Sequence, residues 1–342
     1  MGLTIKEAIK RVVGGGSLTE AEMAAVMGAI MGGETGPAEI ASLITALSIK
    51  GETAGEVTGA ARVMREFATK VSAPEGSIVV DTCGTGGDAS GTFNISTAAA
   101  FVAAAGGLTV AKHGGRAVTS KCGSADVLKA LGVNIEVTPK RMELCLREAG
   151  IGFLFAPLLH GAMKYAAPVR GAIGIRTIFN ILGPLTNPAG ATCQVLGVYD
   201  DRLTELMAEV LLRLGGERAF VVRGEDGLDE LTLTGSTRVT ELSEGKVRTY
   251  YVSPEDFGLT RCAPEALAGG DAAKNAAIIL DIFKGKKGAP RDIVILNSAA
   301  AITAGGLCES IKEGCAAAAA AIDSGEALNV LNKLIEVSNT PE

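Results

Sequence analysis

Two short apolar segments each run into a glycine-rich loop and out into a helix. This repeated unit constrains the chain more than any other feature. Ser77-Ile-Val-Val80 reads as a strand entering the loop Gly84-Thr85-Gly86-Gly87-Asp88, and the segment from Ser96 to Ala104 reads as a helix. Leu108-Thr-Val-Ala111 reads as a second strand whose exit carries Lys112 and His113, and a helix spans Ser124 to Leu131. Strands alternating with helices predict an α/β domain around a central, largely parallel sheet flanked by helices. Ligands of such sheets sit outside the carboxyl ends of the strands. Both loops leave strands at that end, so both are predicted to face one cleft.

Further strands are predicted at Ile151–Phe155, Cys193–Val198, Ala219–Val222 and Arg248–Val252, with helices between them and in the C-terminal part. Thr138-Pro139 opens a helix that ends at Gly150. Residues 1–70 offer no strand. There, Thr19-x-x-Glu22 and Thr53-x-x-Glu56 are capping boxes, Pro37 suits a first helical position, and glycines at 14–16, 32–33 and 51 stop the runs. The expected division is a small helical domain, residues 1–72, joined by a helical excursion near 162–188, and an α/β domain, residues 73–342.

The tract between Asp88 and Asp126 holds no Asp or Glu, yet it contains Lys112, Arg116 and Lys121, in a chain of net charge −6. Backbone N–H groups, hydroxyls and cations in such a tract suit phosphate oxygens. The negative total argues against a general affinity for nucleic acid or anionic membranes. Seven cysteines without a Cys-x-x-Cys pair predict reduced, mostly buried thiols and a cytoplasmic protein. No apolar run is long enough to span a bilayer.

Gly84-x-Gly86-x-x-Ala89 matches a loose dinucleotide pattern. The second strand exit carries Lys112 and His113 where that pattern needs an acid, and no Gly-Lys-Ser/Thr follows as in a Walker loop. Asp200-Asp201 reads as a turn and helix cap. Asp229-Glu230 reads equally as solvated surface or as a magnesium site completed by substrate oxygens. Arg170 and Arg176 read as a carboxylate fork or as surface ion pairs. His113 and His160 are the only histidines, and sequence assigns neither a chemical role.

Taken together, Gly84-Thr-Gly-Gly-Asp88, Asn94-x-Ser96-Thr97, Lys112-His-Gly-x-Arg116, Ser124-Ala-Asp126, Leu228-Asp229-Glu230 and Asn180-x-x-Gly183-Pro184-Leu-Thr-Asn187-Pro188 resemble the anthranilate phosphoribosyltransferases over essentially the whole chain. The resemblance implies a homodimer that transfers phosphoribosyl from phosphoribosyl pyrophosphate (PRPP) to anthranilate in tryptophan synthesis, with two Mg2+ ions, one arriving with the donor. It also implies site residues. Gly84, Gly87, Asp88, Thr92, Asn94, Ser96, Thr97 and Ser124 would contact PRPP or its metal. So would the loop Lys112, His113, Gly114, Gly115, Arg116, Ala117, Val118, Thr119 and Ser120. Ser96, Asp229 and Glu230 would hold magnesium, Arg170 would grip the anthranilate carboxylate, and Lys112 and Arg116 would stabilise charge without a general base.

One position departs from the family pattern. Gly115 stands where the family loop usually has an Asn that helps position anthranilate. The acceptor is therefore anthranilate held by the remaining groups, or another aromatic amine. Two further readings share the loops: a pyrimidine nucleoside phosphorylase using free phosphate, and a non-enzymatic relative that binds nucleic acid. Only 4% aromatic residues and the negative charge oppose the last.

Overall fold

The computed structural model describes residues 3–88, 90–116 and 122–341. It opens with α1 (Ile5–Val13), α2 (Glu20–Met31), α3 (Pro37–Lys50) and α4 (Ala54–Phe67). Thr4, Thr19 and Thr53 each accept the N–H of the Glu three residues on, and that Glu accepts the Thr N–H in return. Glu56 does more than cap α4. Its fully buried carboxylate also accepts from the Leu18 amide at 2.9 Å and pairs with Lys50 Nζ at 2.9 Å. A buried charge needs such partners.

The α/β part follows as β1 (Val79–Gly84), α5 (Ile95–Ala105), β2 (Thr109–Gly114), α6 (Ser124–Ala130), α7 (Pro139–Ala149) and β3 (Ile151–Phe155). Short helices α8 (Ala156–Leu159), α9 (Ala167–Ile173) and α10 (Ile178–Leu182) lead to β4 (Cys193–Gly197), α11 (Arg202–Arg213) and β5 (Arg218–Gly224). A hairpin of β6 (Thr237–Ser243) and β7 (Lys246–Val252) precedes α12 (Ala272–Phe283), α13 (Ala289–Ala304), α14 (Ile311–Asp323) and α15 (Glu326–Asn339).

The strands form one sheet in the order β3-β2-β1-β4-β5-β6-β7, parallel from β3 to β5 and antiparallel through the hairpin. The central strands are buried on both faces, as expected of a covered parallel sheet. Alternate residues divide between two cores. Val195, Phe220 and Val222 join the core built with α5 and α13, whereas Leu196, Ala219 and Val221 join the one built with α2, α3, α4 and α11. Residues of α9 and α10 belong to that second core, so the helices at 167–182 pack with the N-terminal ones.

Three sequence expectations need correction. The first strand begins at Val79, not Ser77, because the Ser77 amide and hydroxyl both donate to the Pro74 carbonyl in a turn. Lys112 and His113 lie within β2, where they pair with Phe153 and Leu154 of β3, rather than beyond its end. No helix separates β5 from β7. The alternating segment Thr237–Ser243 is a strand, and Glu244-Gly245 turns the hairpin with φ of 52° and 71°. Two positive φ values match the twist of a two-residue hairpin turn, but Glu is an uncommon residue for it.

Candidate active site

The chain runs from β1 outward to β3 and then returns to place β4 on the other side of β1. This reversal makes the carboxyl ends of β1 and β4 the switch point where doubly wound sheets bind ligands. Gly84 and Gly197 face each other there. The loop after β5 packs onto both. A Cβ on Gly197 would lie 1.6 Å from the Asp229 carbonyl oxygen, and one on Gly84 would lie 2.5 Å from Asp229 Oδ2. Absence of side chains at these two positions lets the carboxylate turn reach the sheet.

Ser96, Lys112, Asp229 and Glu230 converge on this floor. The Ser96 amide donates to Glu230 Oε1 at 3.1 Å, and the Gly86 amide donates to Asp229 Oδ2 at 3.1 Å. Lys112, only 3% exposed, donates to the Thr82 carbonyl, and its Nζ stands 3.4 Å from Ser96 Oγ. Burial pushes both carboxyls well above the usual carboxylate range; Asp88 adds to this at Asp229, and Asp229 adds to it at Glu230. Burial pulls Lys112 the other way, against the attraction of Asp81 and the pair. With Asp81 also attracting Lys112, acids outnumber cations here, and burial opposes ionisation of the pair. The donor set is hard oxygen: two carboxylates and the Ser96 hydroxyl. It fits magnesium, which takes one or two carboxylates and completes its shell with water and phosphate oxygens.

The first glycine loop has positive φ at Gly86 and Gly87, which turns its amides away from the β1 direction. Asp88 accepts from Ser90 Oγ at 2.5 Å, and Thr92 bridges to Ala268. Asn94 makes structural contacts: its Nδ2 donates to the Cys122 carbonyl at 3.1 Å, and its Oδ1 accepts from Asn275 at 2.9 Å. The Thr97 hydroxyl is buried without a partner among the described residues. Arg176 was not among the residues expected to bind the donor. Its guanidinium donates to the Gly87 carbonyl and lies 4.0 Å over the Tyr199 ring, while its own carbonyl accepts from Ser48 of α3. It thus ties the glycine loop to the N-terminal helices. No local spacing signals that contact.

The second loop divides its residues between two faces of the sheet. His113 points away from Lys112. Its Nδ1 lies 3.2 Å from the Gly183 carbonyl and its Nε2 lies 3.1 Å from His160 Nε2. A carbonyl only accepts, so His113 Nδ1 carries a hydrogen and His160 Nε2 donates to His113 Nε2. Burial lowers His113 to about 3 and His160 to about 4, so both rings are neutral at pH 7. Beside them the Asp81 carboxyl, raised to about 6 by burial, accepts from the His113 amide and from Asn187 Nδ2.

Arg116 does not join the floor. It pairs with Glu136 at 3.2 Å over the Phe155 ring. Ser124 Oγ donates to the Gly115 carbonyl at 3.3 Å, and among the described residues a Cβ on Gly115 would have no neighbour within 4 Å. Gly114 ends β2, where a Cβ would stand 2.6 Å from Ser124 Oγ. Arg170, on α9, lies 5.5 Å from the Phe179 ring centroid and has no carboxylate partner among the described residues. Ala117, Val118, Thr119 and Ser120 lie outside the described residues.

The neutral histidine pair makes stability depend on pH. In the unfolded chain each ring titrates near 6.5, so below that pH the unfolded state binds more protons and native stability falls. The slope approaches about 1.4 kcal/mol per pH unit for each ring held neutral. Denaturant melts at pH 7 and pH 5 should show His160→Gln losing less stability on acidification than the wild type. Equal losses would contradict the neutral pair.

The family described as "Glycosyl transferase family, a/b domain" matches residues 76–328, and its helical bundle domain matches residues 6–68. The chain is 55% identical to an anthranilate phosphoribosyltransferase of Acetivibrio thermocellus, covering 98% of this chain and 97% of that one. The crystal structure of anthranilate phosphoribosyltransferase from Thermus thermophilus superposes with a TM-score of 0.92 at 45% identity, covering 97% and 99% of the two chains. The Saccharomyces cerevisiae enzyme in complex with PRPP and Mg superposes with a TM-score of 0.88 at 28% identity, covering 98% and 97%.

Proposed function

This chain belongs to the anthranilate phosphoribosyltransferase family, and from that membership we infer its reaction. It is an enzyme that transfers the phosphoribosyl group of PRPP to anthranilate, giving N-(5-phosphoribosyl)anthranilate and pyrophosphate in tryptophan biosynthesis. The observation that carries this reading is the meeting of a glycine loop, Ser96, the buried Lys112 and a half-buried carboxylate pair at the switch point.

In the reaction the amine nitrogen bonds to the anomeric carbon as the bond from that carbon to pyrophosphate oxygen breaks. The leaving pyrophosphate gathers charge, and the ribosyl carbon becomes cationic in character. We place the diphosphate against the loop from Gly84 to Thr97, where backbone N–H groups and the hydroxyls of Thr92 and Ser96 can donate. Lys112 lends positive potential from below, which lowers the cost of that developing charge. Ser96, Asp229 and Glu230 would hold magnesium, which when bound neutralises pyrophosphate oxygens. The resemblance adds a second ion carried in by the donor.

We place anthranilate near Arg170, whose guanidinium has no carboxylate partner among the described residues and suits one from the substrate. The acceptor nitrogen of His113 is already occupied by His160, so no free base is assigned there. Catalysis then rests on orientation and on charge. Arg116 serves the donor only if it leaves Glu136. The division at residue 72, a homodimer and residence in the cytoplasm complete the proposal. Among the described residues, no helix is long and apolar enough to cross a membrane.

Anthranilate fluorescence should fall with time only when PRPP and magnesium are both supplied. Loss without PRPP, or phosphorolysis of a pyrimidine nucleoside without magnesium, would contradict this reaction. Among the described residues nothing lies close enough to Gly115 to clash with a Cβ in Gly115→Asn. That variant should keep turnover and lower the anthranilate KM several-fold in steady-state assays; lost activity would show that the loop depends on glycine.

A further inference from the structure

The carboxylate pair sits on a turn that belongs to neither sheet nor helix. Leu231, the next residue, is fully buried, so its amide and carbonyl need partners inside the protein. Asn297 supplies both. From α13 its Oδ1 accepts the Leu231 N–H at 2.9 Å, and its Nδ2 donates to the Leu231 carbonyl at 2.9 Å. The second Nδ2 hydrogen goes to the Ile293 carbonyl one turn back, also at 2.9 Å. Asn297 is 1% exposed in a helix buried without interruption from Ile293 to Ala304. Packing alone would be met by Leu, without the cost of burying an amide.

The amide pairs with Leu231 as a neighbouring strand would. It fixes the main chain immediately after Glu230, while Gly197 and Gly84 bound the turn on the other side. Asp229 and Glu230 are adjacent residues, yet both carboxylates must present oxygens to one cleft. A rotation of the Leu231 peptide would turn one of them aside. We propose that Asn297 is a positioning residue for magnesium binding: it aims the Asp229 and Glu230 carboxylates by clamping both polar groups of the Leu231 backbone. The inference rests on the assignment of these carboxylates to the metal under the proposed function.

The test uses the full-length enzyme and Mn2+ as the probe. Mn2+ binding is read by electron paramagnetic resonance in the presence of PRPP, alongside thermal midpoints and KM values. Loss of an outer partner of a metal ligand typically costs 10- to 100-fold in metal affinity. Asn297→Leu should therefore weaken Mn2+ about tenfold or more and leave the anthranilate KM within about twofold. Leu334→Ala, a core truncation on α15, provides the control: it should lower the thermal midpoint and leave Mn2+ binding unchanged. Wild-type Mn2+ affinity in Asn297→Leu, with only a lowered midpoint, would overturn the inference. Should that variant fail to fold, Asn297→Ser removes the amide with less crowding and is held to the same outcomes. The double variant Asp229→Asn, Glu230→Gln separates the two levels. If it too binds Mn2+ like the wild type, the metal assignment itself falls, and the inference with it. If it loses Mn2+ while neither Asn297 variant does, only the inference falls.

Discussion

The meeting of Gly84, Gly197 and the Asp229 main chain is the constraint on which the rest of the site depends. It occurs where the strand order reverses, so three segments distant in sequence share one small volume. Any side chain at Gly197 would occupy the place of the Asp229 carbonyl. With the turn seated there, two half-buried carboxyls lie beside the buried Lys112 ammonium. Desolvation resists ionisation of the pair. A divalent cation held there, as proposed above, would favour the ionised form.

Buried amides hold the loops around this floor. Asn187 joins Asp81 to the Ala111 carbonyl and accepts the Ala189 amide. Asn275 joins Asn94 to the Gly270 amide, and Asn297 clamps Leu231. Each sits where irregular backbone would otherwise leave polar groups unmet. Loops fixed this way can carry close-set charges without the support of a regular ladder. Arg176 adds a different link, from the glycine loop to the helices that share a core with α9 and α10.

Much of the architecture was legible because local chemistry decides it. Capping boxes at Thr19 and Thr53, Pro37, and the glycines after the first three helices are signals contained within a few residues. The two strand–loop–helix units likewise announced the sheet. The family resemblance singled out Ser96, Asp229 and Glu230, although no spacing rule links residues so far apart. The parts missed depend on tertiary partners. β2 extends through Lys112 and His113 because β3 pairs with them. The β6–β7 hairpin turns at Glu244-Gly245, where Glu adopts a backbone shape the residue type does not advertise. Arg116, which the resemblance assigns to the donor, pairs here with Glu136 beyond the next helix. Asn297 looks like an isolated polar residue in an apolar helix until Leu231 is seen beside it.

The most direct test of the account is a crystal structure with PRPP and Mn2+, the metal located by its anomalous scattering. The account predicts diphosphate on the loop from Gly84 to Thr97 at the β1–β4 switch point. It predicts a metal there within direct coordination distance, about 2.0–2.3 Å, of oxygens from the Asp229–Glu230 pair. A metal held by diphosphate and water alone, away from both carboxylates, or a donor seated outside this crevice, would contradict it.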